Sequence, residues 1–191
     1  MLNVVIFGAP GSGKGTQSEL IISKYGLYHI STGDILRTEM KNQTELGKIA
    51  EDYIKNGQLI PDDLIISMLS EVLGENSQSK GYIFDGFPRT LVQGEALDQL
   101  LREKNTSVVA VFNLQVEEDE LITRLLKRGN DQRRTDDTLE VIQKRLEVYH
   151  TQTEPLKEYY KKKGKLFTIK GANSIDDVFE QITDVIDHLS F

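Results

Sequence analysis

Short apolar runs alternate along the chain with longer segments whose apolar residues recur at helical spacing. Runs rich in β-branched and aromatic residues occupy residues 4–7, 82–84, 108–114 and 166–169, and each precedes a segment of helical length. A weaker run covers residues 28–30. Because strands that alternate with helices form covered parallel sheets, the pattern predicts a three-layer α/β fold, a parallel sheet with helices on both faces.

Two stretches depart from this alternation. Residues 31–73 contain consecutive helical segments with no strand between them, broken near residues 57–61. Residues 129–137 read GNDQRRTDD and are polar, charged and without periodicity. No internal repeat or Pro-rich linker separates either stretch from the rest. We therefore predict one domain over residues 1–191, with residues 31–73 and 129–137 as two excursions from the sheet.

The overall composition excludes several classes of protein. Lys and Arg number 23 against 30 Asp and Glu, and a net charge of -7 argues against general binding to nucleic acid. The chain has no cysteine, which excludes disulfides and thiolate zinc sites. The first apolar run ends at Phe7, too early for a signal peptide or a membrane span. We expect a cytoplasmic protein that does not bind a membrane.

The strongest chemical signal is GAPGSGKGT at residues 8–16. It contains the phosphate-loop spacing G-x-x-x-x-G-K between a predicted strand and a predicted helix. In such a loop, backbone N–H groups surround phosphate oxygens, the helix N-terminus attracts anions, and Lys14 adds a full positive charge. The alternative is a Gly-rich turn without a ligand. Gly15 stands where the general pattern has a magnesium-binding Ser or Thr, and Thr16 follows one place later.

Gly-Thr after the lysine and four further segments carry a resemblance to a known family. The segments are STGDILR at 31–37, GQLIP at 57–61, DGFPRTLVQGE at 85–95, and RLLKRG at 124–129 followed by RRTDD and KRLE. Their order and spacing resemble the nucleoside monophosphate kinases, and most of all the short-lid adenylate kinases, over essentially the whole chain. The resemblance implies a P-loop nucleoside monophosphate kinase architecture, with residues 31–73 as the NMP-binding excursion and residues 129–137 as a short lid.

The resemblance also implies an activity. It implies reversible phosphoryl transfer from ATP to AMP, giving two ADP and maintaining the balance of adenine nucleotides, by a monomer that uses Mg²⁺ and no zinc. Its partners would be the small molecules ATP, AMP and ADP. The alternatives are a UMP/CMP kinase and a nucleotide-binding module without catalysis. A GTP-driven switch would need Asn-Lys-x-Asp and a protein kinase His-Arg-Asp, and the sequence contains neither.

The same resemblance assigns candidate site residues. Phosphoryl transfer needs positioning and charge neutralisation more than covalent chemistry, which suits lysine and arginine. The catalytic candidates are Lys14, Arg89, Arg124, Arg128, Arg134 and Arg145. The ATP candidates are Gly11, Ser12, Gly13, Lys14, Gly15, Thr16, Arg124, Arg128 and Asn173. The AMP candidates are Thr32, Arg37, Gln58, Leu59, Ile60, Gly86, Phe87, Pro88, Arg89, Gln93, Arg134 and Arg145.

Some of these candidates also have an ordinary structural interpretation. Arg124 and Arg128 lie four residues apart on one helix face and could instead form a solvated face paired with nearby Glu. Asp85 ends a predicted strand, where the family holds magnesium through bound water, but it could instead cap the next turn. Thr16 is a further metal candidate. Asp34 follows Ser31-Thr32-Gly33 and is interpreted as a helix-start residue rather than a ligand.

Two positions depart from the pattern of short-lid relatives. Arg133 precedes Arg134 where those relatives usually have Gly, and alignment to the Asp136-Asp137 pair selects Arg134 as the phosphate contact. Asn173 replaces a Gly in the loop that packs against the adenine of ATP.

The resemblance implies that Thr32 and Gln93 select adenine over pyrimidines, whereas the alternative is that either is an ordinary capping or surface residue. The uridylate and cytidylate kinases tend to carry Ala at the position of Thr32. The Gln93 amide can accept from the adenine amino group and donate to a ring nitrogen. With backbone groups of residues 58–60 lining the pocket, these two residues favour AMP as the acceptor.

Overall fold

The computed structural model describes residues 1–76, 78–132 and 136–189, with Gln132 described by its backbone alone. Within them lie five strands: β1 (Val4–Gly8), β2 (Tyr28–Ser31), β3 (Tyr82–Asp85), β4 (Ala110–Gln115) and β5 (Leu166–Lys170). All pair in parallel, in the order β2-β3-β1-β4-β5. The parallel sheet predicted from the apolar runs is confirmed, including the weaker strand β2.

Helices occupy most of the remaining described residues. They are α1 (Lys14–Tyr25), α2 (Thr32–Lys41), α3 (Glu45–Lys55), α4 (Asp62–Glu75), α5 (Leu91–Glu103), α6 (Glu118–Gln132), α7 (Leu139–Val148), α8 (Leu156–Lys162) and α9 (Ile175–Asp187). A π-helical turn, Tyr149–Thr153, lies between α7 and α8. Over the described residues, no helix combines the length and the apolar character needed to cross a membrane.

Strand β1 separates two hydrophobic cores. Val5 and Phe7 pack with apolar residues of α2 to α7, whereas Val4 and Ile6 pack with apolar residues of α1 and α9. Because successive strand side chains point to opposite faces, a fully apolar strand of this kind belongs between two helical layers. The predicted three-layer arrangement is therefore confirmed. The loop after β1 emerges at the carboxyl ends of the strands.

The first excursion consists of α2, α3 and α4, which follow one another with no strand between them, as predicted. Ser31 Oγ accepts a hydrogen bond from Asp34 N at 3.3 Å and begins α2, and Thr44 Oγ1 does the same for Gly47 N at 3.0 Å in α3. Side-chain capping of this type satisfies the first free N–H groups of a helix. Asp34 lies in the first turn of α2, in agreement with its interpretation as a helix-start residue.

The second excursion, predicted over residues 129–137, begins with helical residues. Residues 129–132 were expected to be irregular, but they continue α6 to Gln132. Apolar periodicity identifies only helical turns that pack on a core, and a turn facing solvent can continue the hydrogen bonding of a helix with polar residues alone. Residues 133–135, and with them the candidate Arg134, lie outside the described residues.

Candidate active site

The loop between β1 and α1 has the backbone of a phosphate-binding loop. Gly8, Gly11 and Gly13 have φ angles of 146°, 83° and 95°, which favour glycine. A Cβ atom at Gly8 would lie 2.7 Å from Ser12 Oγ, so only glycine fits this close approach. Gly13 begins α1 without a side-chain cap in the described residues, which leaves the first N–H groups of the helix available for an anion.

Lys14 is folded back onto its own loop. Its Nζ donates to the carbonyl oxygens of Gly8 at 2.8 Å and Ala9 at 3.0 Å. Burial lowers the pKa of Lys14 to about 8; Asp85 opposes the shift, and the positive charges of Arg89 and Arg145 add to it. A cation destabilised in this way would be stabilised by an anion that entered the cleft.

Asp85 is placed next to this loop by the register of the sheet. It ends β3 and pairs with Ile6 of β1, two residues before β1 ends at Gly8. Its carboxylate is 15% exposed, and the imidazole nitrogen His29 Nε2 lies 3.8 Å from Oδ2. His29 also lines the cleft.

The carbonyl oxygen of Gly86 aligns two of the AMP candidates. It accepts from Thr32 Oγ1 at 2.9 Å and from Arg89 Nε at 2.8 Å. Gly86 has a φ of 78°, and a Cβ there would lie 2.8 Å from Thr32 Oγ1. Burial lowers the pKa of Arg89 to about 10, with a further contribution from Arg145. The guanidinium is therefore positioned by a neutral oxygen and retains donors for an anion.

Gln93 is buried and its amide is bonded at both ends. Oε1 accepts from Arg89 N at 2.7 Å, and Nε2 donates to Asp62 Oδ1 at 2.7 Å. An amide oxygen can accept two hydrogen bonds and an amide nitrogen can donate two. Gln93 therefore keeps one lone pair and one N–H for a ligand, although its contact with adenine stays a prediction.

Arg128 of α6 and Arg145 of α7 share an acidic partner. Arg128 makes a bidentate pair with the fully buried carboxylate of Asp137, with both distances 2.7 Å. Arg145 Nη1 contacts the same carboxylate at 2.9 Å and Asp136 Oδ2 at 3.2 Å. Burial lowers the pKa of Arg145, and the two aspartates oppose that shift. Two helices are thereby joined at the cleft through one buried carboxylate.

Arg124 forms the helical ion pair that the sequence offered as one alternative, and its contact with phosphate stays a prediction. Its Nε pairs with Glu120 Oε1 at 2.8 Å, which is the solvated helical pair expected as the alternative. Its Nη1 also donates to the carbonyl oxygen of Gly171 at 3.3 Å, in the loop that carries Asn173. Arg124 therefore links α6 to that loop while it lines the cleft.

One cleft of about 690 Å³ brings most of the candidates together. The candidates that line it are Gly11, Ser12, Gly13, Lys14, Gly15, Thr16, Thr32, Arg37, Gln58, Leu59, Ile60, Asp85, Gly86, Pro88, Arg89, Gln93, Arg124, Arg128, Arg145 and Asn173. Arg37 lies there with its Nη2 2.5 Å from Asp34 Oδ1. The contact expected from Arg134 lies outside the described residues.

Phe87 is the one described candidate that does not line the cleft. Its side chain is 1% exposed and packs in the core that contains Phe7 and Phe84. The reason is its apolar ring, which gains more from burial than from contact with a phosphate. A side-chain contact between Phe87 and AMP is therefore not offered by this arrangement.

Two of the cleft residues that the sequence analysis did not identify lie next to one of its candidates. Tyr149 and Thr153 lie on the π-helical turn and line the cleft beside Arg145. Their spacing was an available signal, because positions 145, 149 and 153 recur every four residues and so fall on one helical face. The pKa of the Tyr149 hydroxyl is raised by burial, so this group stays protonated and can donate a hydrogen bond.

Comparisons with known proteins agree with the geometry. The family model described as adenylate kinase matches residues 6–165. The chain is 60% identical over 189 residues to an adenylate kinase of Parabacteroides distasonis, covering 99% of this chain and 100% of the relative. It is 62% identical to one of Azobacteroides pseudotrichonymphae, covering 99% of each, and 57% identical to one of Bacteroides fragilis, covering 99% and 100%. The similarity thus extends well beyond the phosphate loop.

Proposed function

Because the chain belongs to the adenylate kinase family, we propose that its cleft transfers the γ-phosphoryl group of ATP reversibly to AMP, giving two ADP. Family membership makes it a nucleoside monophosphate kinase, a phosphotransferase. The observation that carries the proposal is that two separate sets of cationic groups open on one cleft: the loop with Lys14, and the guanidinium groups of Arg37 and Arg89. A protein that bound ATP without transferring its phosphoryl group would need only one such set.

ATP is assigned to the loop side of the cleft. The N–H groups that begin α1 would bind its phosphates, and Lys14 would exchange two carbonyl contacts for phosphate oxygens. Arg124 and Arg128 reach the same side from α6, and Asn173 would lie near the adenine. Preorganised positive charge of this kind stabilises the transition state of phosphoryl transfer, in which charge spreads over the moving group.

AMP is assigned to the side formed by α2, the start of α4 and the loop after β3. Arg89 would bind its phosphate together with Arg37, because planar guanidinium groups form paired hydrogen bonds with phosphate oxygens. Thr32 and Gln93 would face the base, with Gln58, Leu59 and Ile60 lining the rest of the pocket. Arg145 would contact phosphate between the two nucleotides, and Arg134 is proposed to join it.

The residues near the loop fit a magnesium ion that arrives with ATP. Among the described residues, no three acidic or histidine side chains are grouped to hold a metal ion alone. Asp85 supplies one half-buried carboxylate and Thr16 one exposed hydroxyl in the same cleft. Mg²⁺ commonly keeps several waters and binds one or two carboxylates together with substrate phosphates, which matches this sparse set. The ion would neutralise charge on the phosphate oxygens, and Asp85 would orient its water ligands.

Closure of the two excursions would protect the transfer from water. We assign residues 31–73 to closure over AMP and residues 129–137 to closure over ATP, since a site open to solvent would lose phosphoryl groups to hydrolysis. The shared partners of Arg128 and Arg145 support this assignment, because they connect the residues that flank the second excursion to the cleft. A monomeric state stays a prediction from the family, and a cytoplasmic location stays a prediction from the sequence.

The experiment that tests the proposal is ADP formation from ATP and Mg²⁺ with AMP, CMP, UMP or GMP as the separate acceptor. We expect rapid turnover with AMP and little with the others. A preference for CMP or UMP would keep phosphoryl transfer but overturn the assignment of Thr32 and Gln93. Binding of ATP without turnover for any acceptor would favour a nucleotide-binding module instead.

A further inference from the structure

Asp62 connects the first excursion to the base-reading side of the cleft. It is the first residue of α4, and its carboxylate accepts from Gln93 Nε2 at 2.7 Å and from Thr90 Oγ1 at 3.0 and 3.1 Å. Thr90 Oγ1 in turn accepts from Gln93 N at 3.2 Å and caps α5. Gln93 lines the cleft and Asp62 does not, so Asp62 lies behind the residue that would meet the base.

These contacts fix which end of the Gln93 amide points where. A carboxylate only accepts hydrogen bonds, so Nε2 must face Asp62. The backbone N–H of Arg89 only donates, so Oε1 must face Arg89 at 2.7 Å. A half-turn of the amide would set oxygen against carboxylate and N–H against N–H. The buried amide therefore has one favourable orientation.

The orientation matters because adenine and hypoxanthine carry a donor and an acceptor in exchanged positions. A half-turn of the Gln93 amide exchanges its own donor and acceptor in the same way. The adenine edge offers an amino donor beside a ring-nitrogen acceptor, whereas the hypoxanthine edge offers a carbonyl acceptor beside a ring N–H donor. The sizes of the two bases are nearly equal, so shape alone separates them poorly. An amide locked in one orientation accepts one pattern and opposes the other, whereas an amide free to turn can accept both.

We propose that Asp62 is a positioning residue for base selection, which locks Gln93 in the orientation that fits adenine. The proposal rests on the proposed function, because it requires Gln93 to contact the acceptor base. Asp62 acts through Gln93 and does not touch the substrate. Loss of the Asp62 carboxylate would therefore change the choice of acceptor and the affinity for it. The rate of transfer to a bound acceptor would change less.

The test compares Asp62→Asn with Asp63→Asn in steady-state assays with AMP and IMP as acceptors. Asp63 is a matched control, because it lies in the same first turn of α4, is exposed, and makes no side-chain hydrogen bond within the described residues. An Asn at position 62 can either accept from Gln93 Nε2 or donate to Gln93 Oε1. We expect the ratio of kcat/KM for AMP to that for IMP to fall roughly tenfold in D62N, the scale of one hydrogen bond to a charged group.

The same assays separate positioning from a structural role. In D62N we expect KM for AMP to rise severalfold with kcat within about twofold, while D63N keeps the wild-type AMP to IMP ratio. In a Gln93→Ala background, adding D62N should leave that ratio unchanged, because the amide on which Asp62 acts is gone. Equal ratios in D62N, D63N and wild type would overturn the proposal, as would a D62N effect that persists without Gln93.

Three further outcomes are also decisive. If D62N does not fold, Asp62→Ala serves as the second variant, and a wild-type AMP to IMP ratio in that protein overturns the proposal. Failure of the wild type to use AMP would contradict the proposed function itself. Normal AMP turnover and an altered ratio in Gln93→Ala, together with an unaltered ratio in the Asp62 variants, would contradict only this inference.

Discussion

The phosphate loop and the arginine cluster face the same cleft but are built differently. The loop, residues 8–16, is one continuous stretch, and its cation Lys14 is held by neutral carbonyl oxygens of the loop itself. The arginine cluster, Arg128 and Arg145, comes from two helices and is held by the buried carboxylate of Asp137. The lysine can exchange weak neutral partners for phosphate, whereas the arginines share a charged partner and depend on one another.

The largest expected effect comes from removing the cation of the loop. Lys14→Ala should lower kcat/KM by roughly a thousandfold, because one preorganised charge on the transferring group is lost. The thermal midpoint should fall little, since burial already destabilises the charged form of Lys14 in the folded protein. Steady-state kinetics and thermal unfolding measure the two quantities.

The matched control for that variant is Lys127→Ala. Lys127 is exposed on α6 between Arg124 and Arg128, so it reports on a change of net charge outside the cleft. Wild-type turnover in Lys14→Ala, or an equal loss in both variants, would contradict the phosphate-loop assignment.

Asp137→Asn is expected to damage the arginine cluster as a unit. Loss of the shared carboxylate leaves two half-buried guanidinium groups without their partner, and we expect the free energy of unfolding to fall by about 2 kcal/mol. The catalytic efficiency should fall roughly tenfold, because Arg128 and Arg145 lose their common alignment. Chemical denaturation and kinetics together measure both effects.

The exposed Asp131 of α6 provides the control for Asp137. Asp131→Asn should leave both quantities near wild type. A stable D137N protein with full activity would show that the shared carboxylate does not organise the cluster.

The pH dependence of ATP affinity should distinguish Lys14 of the loop from the arginines of the cluster. The pKa of Lys14 is about 8 in the free protein, and a bound phosphate favours its charged form. Above pH 8, binding then requires uptake of one proton, so the affinity for ATP should fall with rising pH, by up to about tenfold per unit, and stay level below pH 8. Calorimetric titration of ATP across pH 6 to 9.5 measures this.

The control for the pH experiment is Lys14→Met. Its affinity for ATP should be weak and should not change with pH across the same range. For the free wild-type protein the sign is opposite: its stability should rise with pH between about 8 and 10.5, because the unfolded chain holds a proton that the folded state has released. A profile of ATP affinity identical in the two proteins would contradict the assignment of the titration to Lys14.

The smallest effect is expected at the exposed pair of Arg124 and Glu120, whose side chains are 31% and 49% exposed. Glu120→Gln should change the free energy of unfolding by no more than about 0.5 kcal/mol, as is usual for solvated helical pairs. KM for ATP should change less than about twofold. Glu117→Gln, also exposed, is the control, and a tenfold change confined to E120Q would place this pair among the essential contacts.

The sequence predicted those parts of the molecule that depend on local signals. The strands, the helices of residues 31–73 and the phosphate loop follow from apolar runs, caps and glycine spacing, and all are observed. The contact between Gln93 and Asp62 joins residues 31 positions apart, and the role of Asp137 depends on how α6 and α7 pack. No periodicity in the sequence reports such tertiary contacts.

Two differences between the predictions from the sequence and the structure have the same physical origin. Phe87 belongs to a motif of the site, yet apolar burial decides where its ring lies. The polar residues 129–132 lack apolar periodicity, yet backbone hydrogen bonding continues α6 through them. A motif or a pattern identifies a segment, whereas the environment of each side chain is set by the elements that pack around it.

The central claim is that one cleft passes a phosphoryl group directly between two nucleotides. The most direct measurement uses ATP radiolabelled in its γ-phosphate, with and without AMP, and follows the label in ADP and in inorganic phosphate. We expect the label to appear in ADP only when AMP is present, with almost none released as inorganic phosphate. Label released as phosphate at a rate that does not depend on AMP would contradict it, because the cleft would then transfer the group to water.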